Sequence, residues 1–178
     1  MDLKDKIGIS EAENSEKHME IVNGEAVIED HTTFSHNDFV LEIALALRQY
    51  IKDHNGQCRV ATENVALYAN EILNDDLNYF LPDVMVVCDP DKIDEKGAHA
   101  APLFVAEVTS ESTRKNDYNG KLDVYRKIGV EEYWIVDLQR DMVVIYKKSM
   151  DYIPQFAIKP TALEVSVYPG LTVYLPEW

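Results

Sequence analysis

The sequence predicts an α/β or α+β fold in which helices flank a mixed central β-sheet, and three observations lead to this prediction. The short apolar runs VMVVC (84–88) and LFVAEV (103–108) are bounded by turn residues, as strands covered on both faces are. Apolar residues recur at helical spacing in two other segments, before and after these runs. The predicted order is helix, strands, helix, strands, which favours a layered arrangement of helices on a sheet.

The N-terminal part begins with residues 1–20, which we expect to be flexible or to form a short helix. EIVNGEAVIE then alternates around Asn23-Gly24, the strongest short signal for a β-hairpin. The first long helix follows, with Ser35 as its expected N-cap and Gly56 at its end. Its apolar face carries Val40, Ile43, Ala44, Leu47 and Ile51.

The remaining segments complete the sheet and a second helix. Residues 57–69 predict one or two strands, and residues 72–82 and 89–102 read as loops or turns. A helix is expected over residues 116–128, closed by Gly129. Two strands joined at 138–141 and further β structure in the tail should follow, so we expect extra hairpins around the central sheet.

With 178 residues, the chain has the length of one domain, and we expect a single domain over residues 1–178. Its 46% hydrophobic and 28% charged residues are ordinary for a globular protein. No apolar run approaches the roughly 20 residues of a membrane span, and the N-terminal sequence is too polar for a secretory signal. We therefore expect a cytoplasmic protein without membrane contact. Cys58 and Cys88 have no CxxC spacing and are expected to be packed thiols, in neither a zinc site nor a disulfide.

The net charge constrains the choice of partners. Seventeen Lys and Arg against 32 Asp and Glu give a formal charge of −15, and such a field repels the phosphate backbone of nucleic acids. A local basic groove or a bridging metal ion would be needed to overcome this repulsion. Neither a Walker loop nor a GxGxxG fingerprint is present, so binding of a nucleotide cofactor has no direct support.

Two acidic residues stand at the edges of the apolar runs. Asp83 precedes the first run and Glu107 lies near the end of the second, so neighbouring strands would bring both carboxylates to one edge of the sheet. Burial of two like charges is unfavourable unless a cation or a proton intervenes, and Mg²⁺ prefers carboxylates and water as ligands. In the structural alternative, Asp83 caps a turn and Glu107 ends its strand in water.

A lysine on the second helix could join the same site. Asp117, Lys121 and Tyr125 lie at positions i, i+4 and i+8, on one helix face that begins about ten residues after Glu107. An ammonium there could orient a metal-bound water or stabilise charge on a phosphoryl group. The alternative is an exposed Asp117–Lys121 ion pair worth a few tenths of a kcal/mol.

An ordered set of residues extends along the chain from position 82. Its members are Pro82-Asp83, Glu107-Val108-Thr109-Ser110, Ser112-Thr113, Asp117, Lys121, Tyr125, Gly129-Val130, Glu132-Tyr133-Trp134 and Asp137. This set resembles the Uma2 family, also called DUF820, of the PD-(D/E)xK restriction-endonuclease-like superfamily. The resemblance extends from the helix near His36 to the terminal strands and is densest between residues 82 and 137.

This resemblance implies a restriction-endonuclease-like core and a metal-dependent endonuclease that hydrolyses phosphodiester bonds of DNA. By position, Asp83 and Glu107 would be the catalytic carboxylates that bind Mg²⁺ or Mn²⁺. The superfamily places a lysine two residues after the glutamate, where this chain has Thr109. Lys121 would be the catalytic substitute, in agreement with the argument from the helix face.

Other residues are weaker candidates. His36 points inward from the start of its helix, where we expect a core or capping histidine, with contact to a metal-bound water or a phosphate as the alternative. Glu42 lies on the polar side of that helix, and Glu63 lies in a predicted strand. The aromatic residues Tyr133, Trp134 and Tyr146 are expected in the core and not on a base-stacking surface.

Two further functions stay open at this point. Thr109 at the lysine position and the charge of −15 would also suit a catalytically inactive protein that acts as a dimeric interaction or regulatory module. Hydrolysis of another phosphate ester is the third hypothesis. Exposed strand edges and the shortage of positive charge favour a homodimer, which could build a shared groove.

Overall fold

Short strands and helices alternate along the computed structural model, which describes residues 8–28, 32–111 and 113–178. The helical segments are α1 (Ile9–Glu13), α2 (Phe34–Asp53), α3 (Ala69–Leu73), a π-helical segment (Asn116–Lys121) that continues into α4 (Leu122–Ile128), and 3₁₀ turns at Pro90–Lys92 and Lys148–Met150. The strands are β1 (Met19–Val22), β2 (Glu25–Ile28), β3 (Arg59–Thr62), β4 (Ala66–Leu67), β5 (Val84–Val87), β6 (Gly97–Ala98), β7 (Phe104–Thr109), β8 (Glu132–Asp137), β9 (Met142–Lys147), β10 (Gln155–Ile158), β11 (Ala162–Glu164) and β12 (Thr172–Tyr174).

The central sheet has six strands in the order β10-β9-β8-β7-β5-β3. Strands β7 and β8 pair in parallel, and the other neighbours in this sheet pair antiparallel. A parallel pair needs a crossover connection, and α4 lies in the segment that joins β7 to β8. The predicted mixed sheet is therefore confirmed.

Both faces of the sheet are covered, because alternate strand residues point to opposite sides. Helix α2 packs on one face, where Phe39, Ile43 and Leu47 meet Val86 and Trp134. Helix α4 packs on the other face, where Val124 and Tyr125 belong to a separate core with Met85, Val105, Tyr133 and Ile135. This double cover explains why β5, β7 and β8 are buried along their whole length. It also confirms that Tyr133, Trp134 and Tyr146 are core residues.

The predicted hairpin is present and lies against the segment before α4. Asn23 and Gly24 both have positive φ angles, 51° and 81°, as a two-residue hairpin turn with the twist of its strands requires. A Cβ on Gly120 would lie 2.6 Å from Cγ1 of Val22. The lack of a side chain at Gly120 therefore allows the hairpin to approach the π-helical segment closely.

The start of α2 differs from the prediction. The N-cap is Thr33 and not Ser35, because the Thr33 side chain accepts a hydrogen bond from the His36 N–H at 3.2 Å. Ser35 already lies in the first turn, where it cannot play this role. The helix ends at Asp53, and the Gly56 N–H donates to the Ile51 carbonyl oxygen at 2.8 Å.

The two cysteines correct a second prediction. Cys58 and Cys88 form a disulfide. Their neighbours Arg59 and Val87 are partners in the β3–β5 register, so the cysteines directly follow as the next opposed pair. The prediction of two packed thiols was wrong. A separation of 30 residues in the sequence does not reveal that β3 and β5 place their ends side by side.

Two predicted loops contain regular structure. Helix α3 extends into residues 72–82, and residues 89–102 contain the 3₁₀ turn and β6, which pairs in parallel with β4. The helix predicted over 116–128 is confirmed in position, although its first part is π-helical. Gly129 closes it in the left-handed conformation. No helix in the described ranges combines the length and the apolar character that crossing a bilayer demands.

Candidate active site

Asp83 and Glu107 meet at one edge of the sheet, as the sequence predicts. The antiparallel register pairs Val84 with Ala106, so Asp83 and Glu107 are the next opposed residues. The Asp83 N–H donates to Oε2 of Glu107 at 3.3 Å, and the Val108 N–H donates to Oδ2 of Asp83 at 2.7 Å. Backbone hydrogen bonds therefore hold both carboxylates in fixed positions.

These carboxylates line a pocket of about 570 Å³ that opens between the start of α2 and the end of β7. All but two of its lining residues, Val108 and Leu138, have polar side chains. The lining residues are Thr32, Thr33, His36, Asp83, Glu107, Val108, Thr109, Ser110, Glu111, Thr113, Asp117, Leu138 and Gln139. The pocket thus presents acidic and hydroxyl groups to a ligand.

Lys121 lies behind Glu107 and is only 1% exposed. Its Nζ lies 2.7 Å from Oε2 of Glu20, 3.1 Å from Oε1 of Glu107 and 3.6 Å from Oδ1 of Asp117. The Tyr125 hydroxyl also donates to Oε1 of Glu107, at 2.7 Å. The helix face predicted from Asp117, Lys121 and Tyr125 therefore turns toward the strand carboxylates, and the alternative of an exposed ion pair is wrong.

The protonation equilibria reflect this burial. Burial raises the pKa of Glu107 well above its usual range, and the carboxylates of Asp83, Asp117 and Glu20 raise it further, against the opposing effect of Lys121. Burial likewise raises the pKa of Asp117 to about 6, although Lys121 opposes the shift. For Lys121, burial disfavours the ammonium, but the three carboxylates outweigh burial and hold its pKa well above the usual value.

The donor set fits a hard divalent cation. Four carboxylates, those of Glu20, Asp83, Glu107 and Asp117, are close enough to affect one another, and the ammonium of Lys121 compensates for one negative charge. Asp83 and Glu107 reach the pocket, and carboxylate oxygens are the ligands that Mg²⁺ and Mn²⁺ accept most readily. The residues present therefore suit such an ion.

Two further residues contact Asp83. His36 lies at the start of α2, and Glu63 lies in the turn after β3. The Nε2 atom of His36 lies 3.3 Å from Oδ2 of Asp83, and the Glu63 N–H donates to the Asp83 carbonyl oxygen at 3.3 Å. His36 is therefore more than a core or capping histidine, because its ring lines the pocket. Glu42 is exposed on α2, as its polar neighbours predict.

Glu20 is the residue that sequence reasoning missed. It is fully buried in β1, where Oε1 accepts the Leu81 N–H at 2.7 Å and Oε2 lies beside Lys121. The hairpin alternation shows which side of β1 the residue faces, but it does not show what covers that side. A glutamate among the apolar residues of a short strand is the only signal available in the sequence.

The position two residues after Glu107 carries a hydroxyl in place of an ammonium. Thr109 is 2% exposed, and its Oγ1 donates to the Ser110 carbonyl oxygen at 3.1 Å. Its side chain also hydrogen-bonds Asp117, which lowers the pKa of that carboxyl against the effect of burial. Ser112, another residue of the resemblance, lies outside the described ranges.

Asp137 has a structural partner. The Arg114 guanidinium donates to both of its carboxylate oxygens at 3.1 Å, and the Tyr118 hydroxyl donates to Oδ2 at 3.1 Å. These bonds tie the end of β8 to the segment before α4. Asp137 therefore stabilises the wall of the site.

Comparison with known proteins now decides the family. The Uma2 family model, described as a "putative restriction endonuclease", matches residues 6–175. The chain belongs to the Uma2 family. Among solved structures, this Uma2 protein is similar to one from Anabaena variabilis described as a "putative nuclease belonging to DUF820". The two share 16% identity over 94% of each chain with a TM-score of 0.72, which shows a common fold. No curated protein matches the chain.

Proposed function

We propose that this Uma2 protein is a divalent-metal-dependent endonuclease that hydrolyses phosphodiester bonds of DNA. One observation carries the proposal: Asp83 and Glu107, opposed on neighbouring strands, share a pocket with polar side chains around them. The family description supports nuclease activity, and the choice of DNA as substrate is our inference from it.

Asp83 and Glu107 would hold Mg²⁺ or Mn²⁺. Such an ion, when bound, polarises a phosphoryl oxygen and lowers the pKa of a coordinated water. The protein supplies carboxylates that backbone N–H groups hold in place before the ligand arrives. The net charge of −15 opposes DNA binding, and the cation would offset this repulsion locally.

Lys121 would assist through Glu107. Its ammonium donates to Oε1 of Glu107, and Tyr125 donates to the same oxygen, so both groups fix the orientation of this carboxylate. They also balance part of the negative charge that the site concentrates. The sequence predicts that Lys121 assists the water; because its ammonium is buried and donates to Glu107, we propose that it acts as a positioning residue.

Cleavage of supercoiled plasmid with Mg²⁺ or Mn²⁺, compared with cleavage in EDTA, tests the proposal. Asp83→Asn and Glu107→Gln should each lower the metal-dependent rate at least about a hundredfold, since each removes roughly 3 kcal/mol of transition-state stabilisation. Asp91→Asn, at an exposed aspartate beyond β5, is the matched control and should leave the rate unchanged. Undiminished cleavage by the Asp83 and Glu107 variants would contradict the proposal.

The same variants can identify the substrate class. Single-stranded, branched and duplex oligonucleotides, together with nucleotide phosphate esters, should be compared at equal phosphate concentration. Preference for duplex or branched DNA supports the proposed substrate. Turnover of nucleotide esters alone would favour the hydrolysis of another phosphate ester.

A catalytically inactive interaction module is the second candidate, and the enclosure of Lys121 favours it. The Lys121 ammonium contacts three carboxylates inside the protein. Thr109, which lines the pocket, has a hydroxyl and cannot provide a positive charge there. Calorimetric titration with Mg²⁺ and Mn²⁺ separates the two candidates. Mg²⁺ binding that disappears both in Asp83→Asn and in Glu107→Gln favours the enzyme, and no binding at millimolar metal favours the module.

We also propose a homodimer. Strand β10 forms one edge of the central sheet, and its Phe156 and Ile158 are 64% and 68% exposed. An exposed apolar edge strand is a template for pairing with another chain. Sedimentation equilibrium should show a dimer that Phe156→Asp dissociates; a monomer at micromolar concentration would exclude this assembly.

A further inference from the structure

We propose that His36, Glu63 and Asp83 form a binding site for a divalent transition-metal ion, with Mn²⁺ as its test ligand. This set differs from the Asp83–Glu107 pair because it contains an imidazole and a carboxylate from a third part of the chain. The proposal concerns metal binding and does not depend on nuclease activity.

The three side chains converge although they come from separate elements. His36 lies in the first turn of α2, Glu63 follows β3, and Asp83 precedes β5. One ligand atom from each side chain lies within 4.8 Å of the other two. A single ion between such atoms can contact all of them after small side-chain movements, because metal–ligand bonds to nitrogen and oxygen are about 2.0–2.2 Å long.

Backbone contacts hold this arrangement in place. The Glu63 N–H donates to the carbonyl oxygen of Asp83 at 3.3 Å, which joins the turn after β3 to the start of β5. The His36 N–H is bound by the Thr33 hydroxyl, which fixes the first turn of α2. A backbone hydrogen bond therefore joins Glu63 to Asp83, and His36 lies in the first turn of a helix that Thr33 caps.

The surroundings are suited to a metal ion that is partly dehydrated. The side chains of His36 and Asp83 are only 11% and 8% exposed, and both line the pocket. Glu63 is half-buried, so an ion has access from solvent on its side. The carboxylate of Glu63 lies beside the His36–Asp83 contact and adds a negative charge that a bound cation would balance.

The ligand types favour a transition metal over Mg²⁺. Imidazole suits Zn²⁺, Fe²⁺, Cu²⁺ and Ni²⁺, whereas Mg²⁺ prefers oxygen ligands and retains much of its water. Mn²⁺ accepts oxygen ligands together with an imidazole, and its paramagnetism makes it the probe for this mixed set of ligands. The Asp83–Glu107 pair offers oxygen alone. Nitrogen ligation is therefore the property that distinguishes the site proposed here from that pair.

Titration of the whole protein with Mn²⁺, followed by electron paramagnetic resonance, tests the site without any activity assay. The free-ion signal gives the affinity, and pulsed measurements detect modulation from a ligating ¹⁴N nucleus. Wild-type protein should bind Mn²⁺ with nitrogen modulation. His36→Gln should abolish the modulation, and Glu63→Gln should weaken binding at least about tenfold, as losses around metal sites commonly do.

Matched variants separate this proposal from the proposed nuclease. Glu107→Gln should retain Mn²⁺ with nitrogen modulation even where DNA cleavage is lost. Glu42→Gln, at an exposed glutamate of α2, should behave as the wild type. Glu63→Gln keeps the test valid if His36→Gln fails to fold, because Glu63 lies in a turn.

Three results would overturn the proposal. These are an absence of Mn²⁺ binding, bound Mn²⁺ without nitrogen modulation, and unchanged affinity in folded Glu63→Gln protein. The second result would leave His36 and Asp83 as an ion pair only. A positive Mn²⁺ result together with inactive protein in every cleavage assay would sustain the site and reject the nuclease.

Discussion

Lys121 shows how one buried cation organises the candidate site. It is 1% exposed and in contact with Glu20, Glu107 and Asp117, which come from β1, β7 and the π-helical segment. Removing a charge from water is costly, and such a group persists only where its partners compensate for the lost hydration. Removal of Lys121 alone would leave three buried carboxylates without this compensation.

We therefore expect Lys121→Met to destabilise the protein by roughly 3–5 kcal/mol, the usual cost of breaking a buried ion pair on one side. Lys127→Met is the matched control, because Lys127 is exposed on α4 and forms an i,i+4 pair with Asp123. The Lys127→Met substitution should lower the free energy of unfolding by about 0.5 kcal/mol or less. Urea denaturation of both variants measures the difference, and equal losses would contradict this account of Lys121.

At the residue scale, the sequence predicts contacts within one element better than contacts between distant ones. Helical spacing placed Asp117, Lys121 and Tyr125 on one face, and the strand pattern brought Asp83 to Glu107. Glu20 was missed because its partner belongs to a helix that packs on β1 only in the folded chain. Helical and strand periods determine the direction of a side chain and say nothing about what lies opposite.

At the scale of elements, His99 ties the long connection after β5 to α3. Its Nδ1 lies 2.7 Å from a Glu71 oxygen and its Nε2 lies 3.2 Å from a carboxylate oxygen of Asp94. The ring also stacks on Tyr68, with centroids 4.6 Å apart. Burial lowers the pKa of His99, but the bonds to Asp94 and Glu71 outweigh burial, and the pKa is raised overall.

This shift predicts a pH-dependent contribution to stability. Because the folded pKa is raised, the stabilisation is fully present below the unfolded pKa of about 6.5 and is lost as pH rises through the folded pKa. His99→Gln should therefore destabilise the protein by about 1 kcal/mol or less near pH 5.5, and the loss should shrink by pH 8. Urea denaturation at several pH values measures it. His54→Gln, an exposed change of the same type, is the control; a loss that grows with pH would refute the assignment.

The connections were the hardest elements to predict. Strands with continuous apolar runs and the Asn23-Gly24 hairpin follow from local sequence, and the structure contains them. Strands β4 and β6 have two residues each, and they exist because residues 66–67 pair with residues 97–98. Local propensity does not encode such a pairing. The close approach of Val22 to Gly120 in the π-helical segment likewise joins distant parts of the chain and is not visible in local sequence.

For the whole molecule, the Cys58–Cys88 disulfide fastens the edge strand β3 to β5. This crosslink joins the strand ends opposite to Asp83, so it supports the sheet without entering the pocket. Structural disulfides rarely persist in a reducing cytosol. The cytoplasmic location predicted from the sequence stays a prediction, and the redox state of these cysteines in the cell would test it.

Loss of the crosslink should lower stability. In the chain-entropy model, closing a loop of about 30 residues contributes about 3–4 kcal/mol, so Cys58→Ser/Cys88→Ser should lose up to this amount. Reduction of the wild type should give a similar loss, while the double variant should not respond to the reductant. Denaturation curves with and without reductant provide the measurement, and a wild-type curve insensitive to full reduction would contradict it.

The N-terminal hairpin has a consequence for protein engineering. A truncated chain that starts at α2 would retain all six strands of the central sheet and every acidic group facing the pocket. It would nevertheless lack the Glu20 counter-anion, and one contact of the interior ammonium would vanish with it. Minimal versions of this domain should therefore preserve the hairpin, even though it contributes no strand to the main sheet.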